Sequence, residues 1–324
     1  MKILSFFAFF IVLATFTSCD RVEFPNKETT SLVDVSDTIF PDTNTNTIRH
    51  VMIEEFTGQK CPPCPGGARV LRDLATTYET AGKHLVVVSI HEGSQCSPNV
   101  APDTSFLYEY RVASGNYLAN VMLSPLLLPG TPAALVNRTI YPGYTDPWTY
   151  KDDWEGAADL EFAKPNVVNL DMVATYDSIA DEGTIAVRSW FVENMTGDYY
   201  LMVYLLQDSI KSWQKNGPAG VGDDSYPLGQ DIDNYYHRHV FRGCLSNVPG
   251  GSGILVSSGS VSSGTKIIKA FNFSIAELKD ASHENILSEP FPPFIAGKFS
   301  AVAFVYDFAT NEVLQVVEGH FHYE

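Results

Sequence analysis

Two cysteines separated by two prolines, Cys61 and Cys64, are the residues in this chain best suited to chemistry. An apolar run at 51–56 precedes them and a helix-like run at 68–75 follows, which predicts a strand, a short loop and a helix. A helix amino terminus carries unpaired N–H groups and partial positive charge, so a thiolate there is stabilised. One cysteine can then attack a substrate sulfur, and the other can resolve the mixed disulfide.

Residues on either side of this motif resemble the active site of thioredoxins. Thioredoxins carry a buried acid six residues before the first cysteine, where this chain has Glu55, and the segment 130–132 (Gly-Thr-Pro) is similar to their cis-proline loop. The resemblance implies that Cys61 is the attacking thiolate and Cys64 the resolving one. It further implies that Glu55 accepts a proton from Cys64 and that Pro132 orients the substrate.

A second apolar run, at 85–90, follows the predicted helix and completes a strand–helix–strand unit. The two strands of such a unit are parallel, so their carboxyl ends lie at the same edge of the sheet. We therefore expect His91, Glu92 and Cys96 to lie near the cysteine pair. With 324 residues, two domains are expected, and we assign 48–164 to a thioredoxin-like α/β domain.

The remainder of the chain, 165–324, alternates apolar and polar residues in seven short runs separated by turn residues. This pattern predicts an antiparallel sandwich of immunoglobulin-like size. The predicted fold is therefore an α/β thioredoxin-like domain followed by an all-β immunoglobulin-like sandwich domain. The seven runs are 168–174, 184–192, 199–206, 237–244, 265–275, 299–306 and 313–321.

Two places in this second domain carry residue types that bind metals. The long segment 211–236 carries four aspartates, which could bind calcium, but their spacing matches no calcium loop and favours a solvated loop. The pairs His237/His239 and His320/His322 could hold zinc, but ordinary strand histidines are favoured. The sequence therefore predicts neither a metal nor a cofactor.

The amino-terminal segment resembles a bacterial lipoprotein signal. Lys2 precedes an apolar run at 3–16 that is too short for a permanent membrane span. We assign 1–18 to a signal peptide, Cys19 to lipid attachment through an acyl chain such as palmitate, and 19–47 to a flexible tether. An ordinary secretory signal with an incidental cysteine is the alternative.

Taken together, the chain resembles the Omp28-related outer membrane lipoproteins. The resemblance implies a thioredoxin-like amino-terminal domain, a carboxy-terminal β domain and a location at the outer membrane, on either its periplasmic or its outer side. The matching stretches are 54–58 with Cys61 and Cys64, 131–132 with 136–138, and the Asn-Tyr-Tyr-His-Arg-His-Val segment 234–240.

Export favours disulfide bonds, and with Cys19 lipidated four cysteines are left to pair. We favour a Cys61–Cys64 disulfide because the short spacing closes easily. Cys96 and Cys244 then either form an inter-domain disulfide or are two separate thiols.

The net charge of −17 disfavours nucleic acid and anionic membrane surfaces as partners. Two functions are compatible with the other features. The first is a thiol–disulfide oxidoreductase that acts on thiols or disulfides of exported proteins. The alternative is a non-catalytic surface binding or adhesion lipoprotein, anchored by its lipid. In it the cysteine pair is a structural disulfide, and the β domain or the segment 211–236 holds the partner.

Overall fold

The computed structural model describes residues 31–40, 48–100, 102–122, 128–246, 252–283 and 290–323. The predicted signal peptide and Cys19 lie outside these residues. The strands are β1 (Ser31–Val33), β2 (Val51–Thr57), β3 (Leu85–His91), β4 (Ala133–Val136), β5 (Trp148–Thr149), β6 (Val168–Asp177), β7 (Glu182–Phe191), β8 (Met195–Gln207), β9 (Ile210–Lys215), β10 (Asp231–His237), β11 (Val240–Cys244), β12 (Ile254–Val261), β13 (Lys266–Phe273), β14 (Phe299–Asp307), β15 (Val313–His320) and β16 (His322–Tyr323).

The helices are α1 (Cys64–Thr80), α2 (Ala113–Tyr117), α3 (Trp154–Phe162) and α4 (Ile275–His283), and a π-helical segment, Leu118–Met122, continues α2. Within the described ranges, none of these helices is long and apolar enough to cross a membrane. The chain is mostly β-structure, as the sequence predicts for its second half.

The largest sheet has nine strands and continues across the predicted domain boundary at residue 164. Its order is β15-β14-β8-β11-β3-β2-β4-β5, and β12 also pairs with β8. The connection between the two halves is the parallel contact of β11 with β3, where Val240 lies opposite Ser89. The strands of both predicted domains therefore belong to one central sheet.

In the amino-terminal half, β2 and β3 are parallel and α1 connects them, which is the predicted strand–helix–strand unit. Val51 and Ile53 pack in the cluster that contains Leu71 of α1 and Trp154 of α3. Met52 points to the opposite face and joins a second buried cluster. Because both faces are covered, every residue of β2 is buried, as is typical of parallel strands.

In the carboxy-terminal half, a five-stranded sheet with the order β1-β13-β7-β6-β16 packs against the β8, β12 and β14 region of the central sheet. Alternate residues of β8 build the core between the sheets, with Leu201 and Val203 packed in the same cluster as Ile185 and Phe271. Each of the seven predicted runs contains a strand. This half is therefore two packed β layers.

A buried ion pair also connects the two halves. Nε and Nη2 of Arg138 donate to the two carboxylate oxygens of Glu54 at 2.7 Å, and Nη2 also donates to the hydroxyl of Tyr204 on β8 at 2.9 Å. The guanidinium lies 5.0 Å from the ring centre of Phe304 on β14. The guanidinium of Arg138 is thus paired with a carboxylate of the amino-terminal half and packed against aromatic rings of the carboxy-terminal half.

Part of the predicted flexible tether is ordered, so the 19–47 assignment is wrong for residues 31–40. β1 pairs antiparallel with β13, and Phe40 is buried. Arg188, whose side chain is buried, donates to the Asp37 carboxylate at 2.9 Å. The segment is held because its apolar and acidic residues meet an apolar site and a buried cation on the five-stranded sheet.

The segment 211–236 is also not simply a loop. Strands β9 and β10 form a two-stranded antiparallel sheet at its ends, and only residues 216–230 connect them. We call residues 216–230 the lid loop. The β9–β10 hairpin lies over the cysteine pair.

Candidate functional site

The two cysteines of the motif form a disulfide at the start of α1, with their Cα atoms 5.4 Å apart. Cys64 is the first residue of the helix and Cys61 lies in the preceding loop. Pro63 and Pro65 flank this start, where a missing backbone N–H costs nothing because the first N–H groups of a helix have no partner within it. The disulfide and its position are as the sequence predicts.

The loop before β4 reaches the first sulfur. The Thr131–Pro132 peptide bond is cis, as predicted, and Sγ of Cys61 lies 3.4 Å from the carbonyl oxygen of Thr131. In the disulfide Cys61 has no S–H, so this is a contact; in the dithiol form the thiol can donate to that carbonyl. The cysteine pair and Pro132, distant in sequence, therefore meet.

Glu55 is buried on β2, near the same position of α1 as Pro132. One oxygen, Oε2, accepts from Ser89 Oγ at 3.4 Å, while Oε1 has no hydrogen-bond partner in the described part of the chain. Burial raises the pKa of Glu55 to about 8, so the carboxyl is mostly protonated at pH 7. A Cβ atom at Gly67 of α1 would lie 3.1 Å from Oε1 and 3.2 Å from the ring of Pro132. The carboxyl and the proline loop thus both pack against the helix at Gly67.

Neither sulfur is open to solvent: Cys61 is 0% exposed and Cys64 is 2% exposed. Strand β9 of the hairpin forms part of the cover. Nε2 of Gln214 donates to the carbonyl oxygens of Gly58 and Cys61, each at 3.2 Å, and the backbone N–H of Lys215 donates to the Gln59 carbonyl at 2.8 Å. The sequence did not identify these covering residues.

The lid loop forms the rest of the cover, on the first turns of α1. Arg72 donates to Asp223 at 2.9 Å, and Arg69 pairs with Asp224. A Cβ atom at Gly66 would lie 2.3 Å from the carbonyl oxygen of Val221, so only glycine permits this approach. Two successive glycines near a helix start are a signal of such a close approach that the sequence contains, because each glycine is less favourable than alanine in a helix by roughly 1 kcal/mol.

Comparison with known proteins assigns this chain to a family. The family model described as "Outer membrane protein Omp28" matches residues 125–288, about half of the chain. This chain belongs to the Omp28 outer membrane protein family. No curated protein sequence matches it.

Two solved structures are similar to this Omp28-family protein. HBP35 of Porphyromonas gingivalis is 14% identical, with a TM-score of 0.60 over 86% of this chain and 77% of that one, and the likeness supports a shared fold. A domain of the outer membrane lipoprotein Omp28 from Porphyromonas gingivalis is 20% identical and covers 49% of this chain and 90% of its own, with a TM-score of 0.27. Family membership locates the protein at the outer membrane.

The predicted neighbours after β3 lie at the same sheet edge as the disulfide. The thiol of Cys96 donates to the carbonyl oxygens of Thr57 at 3.2 Å and Glu92 at 3.3 Å, and Nε2 of Gln59 donates to the Cys96 carbonyl at 2.9 Å. Burial raises the pKa of the Cys96 thiol well above its usual value. A thiol kept protonated in this way is a poor nucleophile.

Cys96 and Cys244 are both free and buried. The inter-domain disulfide considered for them is therefore wrong for this structure, and the alternative of two separate thiols holds. Each thiol has a local environment of its own: Cys96 contacts backbone carbonyls at the sheet edge, while Cys244 lies 3.5 Å from Ser246 Oγ within the core of the central sheet.

The imidazoles near this edge pack with aromatic rings. His91 stacks on Tyr110 with ring centres 4.5 Å apart, and His237 lies 5.5 Å from His91. Burial lowers the pKa of His237 to about 4 and that of His91 well below its usual value, so both are neutral at pH 7. In the described ranges no group of three or more His, Cys, Asp or Glu residues has a geometry that could hold a metal ion.

Proposed function

We propose that this Omp28-family protein is a lipid-anchored thiol–disulfide oxidoreductase of the outer membrane. In this proposal the amino-terminal half is a thioredoxin-like domain, the carboxy-terminal half is an immunoglobulin-like sandwich, and Cys19 carries the lipid. The observation that carries the proposal is the position of Cys61 Sγ, between the amino end of α1 and the Thr131 carbonyl. The buried carboxyl of Glu55, which packs with Pro132 against Gly67 of α1, supports it.

The chemistry begins with a thiolate of an exported protein that attacks Cys61 Sγ. A substrate–Cys61 bond forms, the Cys61–Cys64 bond breaks, and the electron pair leaves on Cys64. The helix amino terminus stabilises the Cys64 thiolate, and the protonated Glu55 is the proton source for it. In the reverse direction Glu55 is the proton acceptor that the sequence predicts.

A second thiolate of the same substrate completes the exchange. It attacks the substrate sulfur of the mixed disulfide, which forms the substrate disulfide and releases Cys61 as a thiolate. Two electrons then remain on Cys61 and Cys64, and the substrate has been oxidised by the same number. Run backwards, the same steps reduce a substrate disulfide. Residues 131–132 are the proposed orienting surface for the substrate backbone.

Burial of both sulfurs favours one second candidate, a binding or adhesion lipoprotein with a structural disulfide. Structural disulfides of exported proteins have reduction potentials below about −300 mV, whereas catalytic ones are higher. We expect the full-length protein, equilibrated in thiol–disulfide buffers, to give a Cys61–Cys64 potential above about −300 mV. A lower value would support the structural role.

Catalysis is tested by the reduction of insulin with dithiothreitol as electron donor. We expect turnover by the wild-type protein and none by Cys61→Ser, because the attacking sulfur is lost. Cys244→Ser is the matched control, since it makes the same sulfur-to-oxygen change at a free thiol in the sheet core. Turnover by Cys61→Ser at the wild-type rate would contradict the proposal.

A further inference from the structure

The lid loop belongs to the carboxy-terminal half but covers the disulfide of the amino-terminal half. We propose that the lid loop is a displaceable cover, and that an exported polypeptide reaches Cys61 only after the lid loop has left α1. This inference rests on the proposed function for its substrate and adds the step that controls access. Three features of the lid loop support it.

The first feature is that solvent reaches its ion pairs with α1. In the Arg69–Asp224 pair the side chains are 35% and 66% exposed, and exposed ion pairs contribute about 0–1 kcal/mol. In the Arg72–Asp223 pair the aspartate is buried, but the arginine is 38% exposed. Val221 and Leu228, the aliphatic side chains larger than alanine in this loop, are only half-buried. Little apolar area therefore holds the loop in place.

The second feature is that the lid loop is organised by its own bonds. Asn216 accepts from the Asp223 N–H at 2.8 Å and donates to the carbonyls of Asp223 at 2.9 Å and Pro227 at 3.1 Å. The ends meet where the Gly229 N–H donates to the Gly217 carbonyl at 2.8 Å. These bonds do not involve α1, so the loop can detach as a unit, like other compact loops whose ends are close.

The third feature is the surface that the lid loop occupies. A Cβ atom at Gly217 would lie 3.0 Å from the Pro62 carbonyl oxygen, and one at Gly66 would lie 2.3 Å from the Val221 carbonyl. The loop backbone therefore covers both sides of Cys64. The polypeptide that replaces it must approach as closely, so we infer an extended chain segment as the substrate, recognised mainly through its backbone.

The experiment removes the lid loop and measures access to the disulfide. Deletion of 218–228 leaves four residues, 216, 217, 229 and 230, between β9 and β10, with two adjacent glycines at the centre, which suits a tight hairpin. The second variant, Asp223→Asn/Asp224→Asn, keeps the loop but removes its two carboxylates. The matched control is Asp231→Asn/Asp233→Asn, which makes the same change in charge at exposed positions on β10 of the same hairpin.

The readout is the rate at which a phosphine reductant opens Cys61–Cys64 in each full-length protein, followed by thiol alkylation and mass spectrometry. Cys96 and Cys244 report folding, because they are buried free thiols that stay unlabelled in an intact protein. We expect the deletion to raise the rate by more than about 10-fold and the double asparagine variant by about 3- to 10-fold, because the loop loses both ion pairs with the partly exposed arginines of α1. The control should react at the wild-type rate.

An unchanged rate in the deletion variant, with Cys96 and Cys244 unlabelled, would overturn the proposal. If all four cysteines of the deletion variant are labelled, that variant has unfolded, and the reduction rate of the double asparagine variant decides whether the proposal holds. Insulin reduction separates this inference from the proposed function. If the deletion speeds disulfide reduction but no variant reduces insulin, the lid loop is a cover and the proposed enzymatic function is wrong. If the wild-type protein reduces insulin and the deletion leaves that turnover unchanged, the enzymatic function stands and the lid loop does not control access.

Discussion

Glu54 and Glu55 are adjacent on β2, yet they serve two different regions of the molecule. Glu54 faces the core between the two halves, where Arg138 binds both its oxygens and Tyr204 contacts it. Glu55 faces α1, where one oxygen has a long contact with Ser89 and the other has no partner in the described residues. The alternation of a strand thus places an ion-paired carboxylate at the connection between the halves and a carboxyl with one partnerless oxygen against α1.

The same contrast holds for the two contacts between the halves. In the connection through Arg138 both charged partners are buried, while the lid loop is held by pairs to two partly exposed arginines, Arg69 and Arg72, and only Asp223 among its carboxylates is buried. Buried pairs are costly to break because the remaining charge is left without compensation. We infer that one contact is permanent and the other can open in the native state.

The largest expected effect is at the permanent connection. Arg138→Ala leaves Glu54 buried without its partner, so we expect a loss of about 3–5 kcal/mol in the free energy of unfolding, measured with urea. Arg69→Ala, which removes an arginine from the lid contact, should cost no more than about 1 kcal/mol. Similar losses in both variants would contradict the contrast between the two contacts.

The second prediction concerns the pH dependence that Glu55 causes. Its folded pKa of about 8 lies above the ordinary value of 4.5, so the folded state binds a proton that the unfolded state has released. The stabilisation is therefore complete below pH 4.5 and is lost as pH rises to about 8. Between these limits we expect up to about 1.4 kcal/mol of lost stability per pH unit from this group.

Glu55→Gln should remove this slope while it keeps the shape of the side chain. The measurement is the free energy of unfolding of both proteins from pH 4 to pH 9. Burial lowers the pKa values of His50 and His237 to about 4, so their stabilisation is lost as pH falls below 6.5. That effect is common to both proteins and cancels in the difference. Parallel curves between pH 5 and 8 would show that Glu55 is ionised in the folded state.

The disulfide, the proline loop and Glu55 could be predicted from the sequence because each follows from a local signal. The cysteine spacing, the apolar runs before and after it and the Gly-Thr-Pro segment are all contiguous stretches. The parallel arrangement of β2 and β3 then brings their carboxyl ends together without further information.

The cover could not be predicted in this way. Arg72 and Asp223 are 151 residues apart in sequence, and nothing in the composition of 216–230 indicates what it contacts. The pairing of β11 with β3 is equally distant, so the sequence suggested two separate domains, whereas strands of both halves form one nine-stranded sheet. Acidic residues in a long segment are typical of a solvated loop; their arginine partners on α1 could be assigned only from the fold.

The smallest change in stability is expected from alanine substitutions at two adjacent glycines of α1. These substitutions also give the sharpest test of which contact opens. In Gly66→Ala the new Cβ meets the Val221 carbonyl of the lid loop, whereas in Gly67→Ala it meets Glu55 and Pro132 of the amino-terminal half. Alanine favours the helix by roughly 1 kcal/mol in either case. We therefore expect Gly66→Ala to keep the wild-type stability to within about 1 kcal/mol and to raise the rate of disulfide reduction several-fold.

Gly67→Ala is the matched control, because it makes the same chemical change one residue further along α1. Its Cβ does not approach the lid loop, so the reduction rate should stay at the wild-type value, while the pH dependence attributed to Glu55 shifts because the carboxyl is displaced. Equal reduction rates in the two variants would mean that the contact of Val221 with Gly66 does not limit access. The disulfide would then have to be reached through the region covered by Gln214 and Lys215 of β9.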